Sequence, residues 1–231
     1  MTRRTPQTPH TPQTPSTAQA QAPAPRTARP VPYGRAAVVT IDLHRGHLDP
    51  AVATMPLPAA DAERVTRANA EFLAGARERG LPVVHVVTSY HAVEDIASNP
   101  WWASVADTDA SRANVLRHQL PGSPGLQLMP EVHDPAYDLV VTGKKRYDCF
   151  AATDLDHVLR SRHIDTLLLT GVNTNSCVLA TTVAANTRDY VPVVVEECVD
   201  TMDRAAHEAA LLVIRQAFGW TATVKEVLAA V

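Results

Sequence analysis

The sequence predicts an α/β fold: a doubly wound, mainly parallel sheet of six strands with helices on both faces. Two observations lead to this prediction. Short runs such as residues 36–42 (AAVVTID) and 166–171 (TLLLTG) are almost entirely aliphatic, as expected of strands that are buried on both faces. Segments with apolar residues at helical spacing separate these runs, and this alternation is typical of a parallel sheet.

The individual elements follow from the same patterns. The first strand, 36–42, leads to a helix at 59–80, which stops at Gly80 before Pro82. The other strands are predicted at 83–89, 138–143, 166–171, 191–197 and 221–224, and the other helices at 153–163, 176–188 and 203–219, followed by a terminal helical turn.

Residues 90–137 form a long stretch without clear periodicity, rich in Pro, Gly, Trp and Asp. An irregular insert of this length in a compact domain is usually functional, so we expect a pocket wall or a lid. Its Arg112, Arg117 and His118 would either bind a substrate carboxylate or face water, and no spacing rule decides between the two.

The composition limits the classes of partner. The chain has 231 residues, 45% of them hydrophobic, and a net charge of −3. No basic surface for nucleic acid and no apolar run long enough to span a bilayer is expected, so neither nucleic acid nor membrane is a predicted partner.

The chain is expected to contain one domain and a tail. Residues 1–32 consist mainly of Thr, Pro, Gln and Ala and predict a disordered tail, whereas 33–231 predict a single globular domain. The three cysteines are far apart and form no CxxC pair, which favours free thiols in a reducing, cytoplasmic setting.

Three reactive side chains are predicted at one edge of the sheet. Asp42 ends the first strand, Lys144 follows the third, and Cys177 lies just after the fourth. Ligands of such sheets bind beyond the carboxyl ends of the strands. A helix N-terminus and a nearby cation would lower the pKa of the Cys177 thiol, and a carboxylate could take its proton. Backbone N–H groups of the turn would hold an oxyanion. The set indicates acyl transfer from an amide to the cysteine, followed by hydrolysis.

Three segments carry a family resemblance. VVTIDLHRG, VVTGKKRYDCFAATDLDHVLR and IDTLLLTGVNTNSCVLATTVAA resemble the signature blocks of the isochorismatase-like cysteine hydrolases, in order, over about residues 36–224. The resemblance implies a central parallel sheet, Asp42 as acid and base, Cys177 as nucleophile, and Lys144 as the lysine, with Lys145 the adjacent alternative. It also implies a cis peptide bond before Asn173, and an oxyanion hole formed by the N–H groups of Asn173 and Cys177.

The sequence departs from the family pattern after the acid. His44 and His47 stand where relatives often have glutamine and phenylalanine, so His47 is expected to make the pocket more polar. The related nicotinamidases bind a metal through an Asp-x-His after the second strand, and Ser89 occupies that aspartate position here. The local spacing D-x-H-x-x-H-x-D over 42–49 fits no known metal site. We therefore expect no metal and no cofactor.

Aromatic residues are the remaining candidates for substrate binding. Trp101 and Trp102 lie in the irregular insert, where a pocket wall is expected, and Tyr147 and Phe150 lie in the lysine block. The alternative is that these side chains pack in the core or at a subunit interface.

The sequence thus predicts a cysteine-dependent hydrolase of a C–N bond in a small amide, ureide or carbamoyl compound, which passes through a thioester or thiocarbamate and releases ammonia or amine. Three alternatives stay open: a catalytically silent ligand- or partner-binding module, a vinyl ether hydrolase of the isochorismatase type, and a redox sensor. The resemblance also implies a homo-oligomer.

Overall fold

Six parallel strands form the centre of the computed structural model, which describes residues 30–106 and 112–231. The strand order is β3-β2-β1-β4-β5-β6, so the predicted doubly wound sheet is confirmed. The strands are β1 (Ala36–Ile41), β2 (Val83–Thr88), β3 (Leu139–Lys144), β4 (Thr166–Val172), β5 (Val191–Asp200) and β6 (Trp220–Ala222). The tail predicted at 1–32 lies outside the described residues except for its last three.

The described part of the chain contains eight α-helices, seven between strands and one after the last strand. They are α1 (Arg45–Leu48), α2 (Ala59–Glu78), α3 (Val93–Ala97), α4 (Pro100–Val105), α5 (Leu155–Arg160), α6 (Leu179–Asn186), α7 (Arg204–Val213) and α8 (Val224–Ala230). Among the described residues, no helix is both long enough and apolar enough to cross a membrane.

The sheet is covered on both faces because alternate residues of each strand point to opposite sides. On one face, Val39 and Leu169 share a core with apolar residues of α5, α6 and α7. On the other face, Val38 and Leu168 share a core with α2 and α8. Burial on both faces explains why the strands have apolar sequences without polar alternation.

Two of the predicted helices include a π-helical turn, one at its beginning and the other at its end. The helix predicted at 176–188 begins as a π-helical turn at Thr174–Val178, and α6 follows it; the helix predicted at 203–219 ends in a second such turn at Ile214–Phe218. An apolar pattern near 3.6 residues does not distinguish one π turn from an α turn. The short α1 was not predicted, since four residues show no periodicity.

Glycine is required where the two halves of the sheet meet. Gly171, near the end of β4, has φ +107°, and a Cβ there would lie 2.0 Å from the carbonyl oxygen of Ile41 in β1. Only glycine permits this close approach of β4 to β1. This close approach places the residue after β1 next to the turn after β4.

The described part of the insert 90–137 packs around a small apolar cluster. α3, α4 and two short 3₁₀ turns, Val115–Arg117 and Pro124–Leu126, provide its structure. The buried members of the cluster are Met55, Tyr90, Ile96, Trp102 and Val115. The cluster thus packs the insert against Met55, which lies between α1 and α2.

Candidate active site

Asp42 lies directly after β1, and its carboxylate accepts hydrogen bonds from β2 and β3, the two strands on one side of β1. The backbone N–H and the hydroxyl of Thr88, at the end of β2, donate to Oδ1 at 2.9 and 2.8 Å. Nζ of Lys144, the last residue of β3, donates to Oδ2 at 2.5 Å. Burial alone would raise the pKa of Asp42, but the charge of Lys144 and the neighbouring His44 hold it well below its ordinary value. Asp42 is therefore a carboxylate at neutral pH.

Lys144 is fully buried and has three partners. Besides Asp42, its Nζ donates to Thr88 Oγ1 at 2.7 Å and approaches Cys177 Sγ at 3.4 Å. Burial alone would lower the pKa of Lys144, but the Asp42 carboxylate outweighs this effect and holds the pKa above its ordinary value. The ammonium group is thus retained, and it connects the carboxylate to the sulfur.

Lys145, the alternative to Lys144 as the lysine of the site, has other partners. Its Nζ donates to the carbonyl oxygen of Ser89 at 2.7 Å and lies 6.0 Å from the Tyr90 ring centroid. The geometry therefore places Lys144, not Lys145, beside Asp42 and Cys177.

Cys177 lies in the π-helical turn after β4, where the Val178 N–H donates to the Asn173 carbonyl oxygen at 3.1 Å. The thiol is free and only 8% of the residue is exposed. Burial raises the pKa of Cys177 to about 11, although Lys144 acts in the opposite direction. The expected lowering of this pKa is therefore wrong, because desolvation outweighs the cation. Burial thus favours the thiol form of the resting sulfur.

The turn before Cys177 has the backbone form that the resemblance implies. The peptide bond between Val172 and Asn173 is cis. Asn173 and Cys177 lie in the same turn, at the edge of the sheet where Asp42 lies. That the backbone N–H groups of these two residues form an oxyanion hole stays a prediction.

The aromatic candidates are found in different environments. Trp102 is buried, and its indole N–H donates to the Tyr147 hydroxyl at 2.6 Å. Trp101 is 62% exposed. Phe150 lies in the core and stacks on Tyr190, with ring centroids 5.7 Å apart. The structure thus brings Trp102 and Tyr147 together and leaves Trp101 at the surface. Contact of these residues with substrate stays a prediction.

His47 lies in α1 and is buried against two other histidines. Its ring centroid lies 4.9 Å from that of His44 and 4.8 Å from that of His118. Burial lowers the pKa of His47 to about 4 and that of His118 well below its ordinary value, so both imidazoles are neutral. His118 comes from the insert. Of the two outcomes left open for it, exposure to water is wrong, since it is 1% exposed.

Sequence reasoning missed Thr88 as a member of the site. Its hydroxyl contacts both Asp42 and Lys144. Its position at the carboxyl end of β2 was the available signal, because residues there face the same edge as Asp42. A separate cleft of about 880 Å³ lies away from this cluster, between α1 and β3, where Arg45, His133 and Val140 line it. The fold and site together define an α/β protein with a buried acid, lysine and cysteine at the carboxyl edge of a parallel sheet.

Comparison with known proteins identifies the family. A family model described as the Isochorismatase domain matches residues 36–226. Maleamate amidohydrolase of Pseudomonas putida is 30% identical over 183 residues, which cover 79% of this chain and 80% of the relative. Ureidoacrylate amidohydrolase of Variovorax paradoxus is 28% identical over 220 residues, 89% of this chain and 87% of the relative. The chain therefore belongs to the isochorismatase family, and the resemblance found in the sequence is confirmed.

A solved structure agrees with the fold. The crystal structure of a cysteine hydrolase from Pseudomonas syringae pv. phaseolicola superposes with a TM-score of 0.73 and 23% sequence identity, covering 88% of this chain and 97% of that chain. At this identity the likeness concerns the fold alone.

Proposed function

We propose that this protein is a cysteine-dependent amidohydrolase acting on a small amide, ureide or carbamoyl compound. The observation that supports this most strongly is the cluster in which Lys144 Nζ contacts both Asp42 and Cys177. The curated relatives are named as hydrolases of maleamate and ureidoacrylate, both small amide-type compounds, which supports the same class of substrate.

In the first half-reaction, Asp42 takes the proton of the Cys177 thiol as Sγ attacks the carbonyl carbon of the substrate. The N–H groups of Asn173 and Cys177 stabilise the negative oxygen of the tetrahedral intermediate. Protonated Asp42 then gives its proton to the leaving nitrogen. The C–N bond breaks, ammonia or an amine departs, and a thioester or thiocarbamate remains on Cys177.

In the second half-reaction, Asp42 takes a proton from water as the water oxygen attacks the acyl carbon. The C–S bond breaks, the product acid departs, and Asp42 returns the proton to the thiolate. Lys144 keeps its proton throughout and stabilises the negative charge on Asp42 and on the sulfur, which alternate in the cycle. This role is consistent with the raised pKa of the lysine.

The test is an ammonia-release screen over small amides, ureides and carbamoyl compounds, including maleamate and ureidoacrylate. Cys177→Ala should lower kcat by about a thousandfold or more, because no covalent intermediate can form. Cys198→Ala is the matched control, since this buried cysteine lies in the core on the other face of the sheet. Intact-protein mass spectrometry should detect the acyl adduct on the wild type alone. Full turnover by Cys177→Ala would exclude the covalent mechanism, and no turnover of any compound by the wild type would favour a silent binding module.

The assembly and location of the protein stay predictions. A homo-oligomer is expected in light-scattering measurements on the purified chain, and a cytoplasmic setting is expected from the free thiols.

A further inference from the structure

Three histidines form a buried cluster that the proposed hydrolysis does not use. His44 directly precedes α1, His47 lies in α1, and His118 follows the 3₁₀ turn at Val115–Arg117. One ring nitrogen of each histidine, either Nδ1 or Nε2, lies within 4.8 Å of one ring nitrogen of each of the other two. The residues are 0%, 4% and 1% exposed. We call these three residues the imidazole cluster.

Two rings of the imidazole cluster are oriented by oxygen atoms. Nδ1 of His47 lies 2.8 Å from the carbonyl oxygen of Met55, and Nδ1 of His118 lies 2.8 Å from the hydroxyl of Thr54. Metal-binding histidines commonly donate one ring N–H to an oxygen in this way, which fixes the tautomer and the ring orientation. Each of these two rings would then bind a metal through Nε2.

Gln119 supplies the oxygen for the third ring, that of His44. Its buried Oε1 has no hydrogen-bond partner, while its Nε2 lies 2.5 Å from Nδ1 and 2.8 Å from Nε2 of His44. A half-turn of the amide exchanges the two atoms and lets Oε1 accept a hydrogen bond from Nδ1–H of His44. With a small tilt of the His44 ring that moves its Nε2 away from Gln119, all three imidazoles would have an oxygen at Nδ1 and coordinate through Nε2.

The nearby carboxylates are already engaged. Asp42 Oδ1 lies 3.5 Å from His44 Nε2, but both oxygens of Asp42 accept hydrogen bonds from Thr88 or Lys144. Asp49 pairs with Arg45 at 2.7 Å. Histidine alone therefore supplies the protein ligands, and a metal would not displace the base from its role.

We propose that His44, His47 and His118 bind one divalent transition-metal ion of the kind that prefers imidazole, such as Zn²⁺, Co²⁺ or Ni²⁺. Three histidines leave at least one coordination position for water or a substrate group. In a tetrahedral zinc site with bonds of about 2.1 Å, the nitrogen atoms lie about 3.4 Å apart. Small side-chain rotations that bring the three nitrogen atoms from their present separation to this distance would form the site.

This proposal revises the expectation of no metal. That expectation came from Ser89 and from the spacing of residues 42–49, and His118 lies far along the chain from both. The ion would lie beside Asp42 and hold a polar or anionic substrate group next to the reacting atoms. Binding of the ion itself does not depend on the proposed hydrolysis.

The experiment measures metal binding without substrate. The full chain, purified without a polyhistidine tag and treated with a chelator, is mixed with Zn²⁺ or Co²⁺ and desalted, and its metal content is measured by mass spectrometry. About one equivalent should remain, and Co²⁺ should give the visible absorption of a site with nitrogen ligands. His47→Gln and His118→Gln should bind at least about a hundredfold more weakly. The exposed His91→Gln should bind like the wild type.

Thr54→Val provides a second, milder variant, because valine keeps the shape of threonine and removes only the oxygen at His118 Nδ1. It should weaken binding by about tenfold to a hundredfold while the protein stays folded. Cys177→Ala should keep the ion, so failure of the hydrolysis would be distinguished from failure of the metal site. A wild type that binds no ion, or His47→Gln and His118→Gln variants that bind it fully, would overturn the proposal.

Discussion

Nζ of Lys144 lies 2.5 Å from Oδ2 of Asp42, and the two side chains are 0% and 1% exposed. Each charge has the other as its opposite charge within hydrogen-bond distance, and solvent reaches neither. Removing one partner of such a pair leaves the other charge buried and unpaired, which costs more than the pair contributes. The pair is therefore a structural as well as a chemical element of the site.

Replacement of Lys144 should destabilise the fold. Lys144→Met is expected to lower the free energy of unfolding by about 3 to 5 kcal/mol, because Asp42 loses its cation. Lys145→Met is the control and should cost only about 1 kcal/mol, since it removes a single hydrogen bond to the Ser89 carbonyl oxygen. Urea denaturation measures both. Equal losses for the two variants would contradict the buried ion pair.

The reactivity of Cys177 should depend steeply on pH. Only the thiolate reacts with iodoacetamide, and burial raises the pKa of Cys177 to about 11. The alkylation rate should therefore rise about tenfold per pH unit between pH 7 and 9.5, without levelling near the ordinary thiol pKa of about 8.5. Peptide mass spectrometry measures the rate. A plateau below pH 9 would mean that the thiolate is already favoured in the resting site.

The two adjacent tryptophans should differ sharply in their effect on stability. Trp102→Ala should lower the free energy of unfolding by about 3 to 5 kcal/mol, because it empties a buried site and removes the partner of the Tyr147 hydroxyl. Trp101→Ala should change it by less than about 0.5 kcal/mol, since Trp101 is mostly exposed. Thermal unfolding of the two variants provides the comparison, and similar melting temperatures would contradict it.

Asp138 should contribute stability that depends on pH. Arg77 donates to both of its oxygens at 3.0 and 2.7 Å, and Nε2 of His85 lies 3.0 Å from Oδ2. Burial alone would raise the pKa of Asp138, but the hydrogen bonds from His85 and Arg77 hold it below its ordinary value. A lowered folded-state pKa gives stability that is complete above the unfolded pKa of about 3.9 and is lost as the pH falls through the folded value.

Asp138→Asn should therefore lower the free energy of unfolding by about 2 to 3 kcal/mol at pH 6. The difference in the free energy of unfolding between the variant and the wild type should shrink at pH 3, because the stability that the ionised Asp138 contributes begins to be lost there. Chemical denaturation at both pH values tests this, and a difference that is constant with pH would be incompatible with it. The exposed Asp154→Asn is a control for charge alone, since the Asp154 side chain makes no capping hydrogen bond to α5.

The sequence predicted the sheet well because its strands are buried on both faces and their aliphatic runs have few other interpretations. It also placed Asp42 and Lys144 at one edge, because strand ends of a parallel sheet converge there. The pKa of Cys177 was not predictable, since it depends on how completely the packed protein excludes water. His118 was not placed either, because its position depends on how the insert folds back onto α1. The core position of Phe150 was not predictable either, because the spacing of aromatic residues in a sequence does not distinguish a core from a pocket.

The junction of β1 and β4 divides the proposed catalytic groups between two portions of the chain. Asp42, Thr88 and Lys144 come from the portion that ends with β3, whereas Cys177 comes from the portion that begins with β4. Neither portion alone holds a complete site. A chain cut between Arg160 and Thr166 would accordingly yield two inactive fragments, and hydrolysis would return only when the fragments reassemble. Hydrolysis by the mixed fragments would therefore report that the two portions had joined, through the pairing of β1 with β4 and through the packing of α2 against β5.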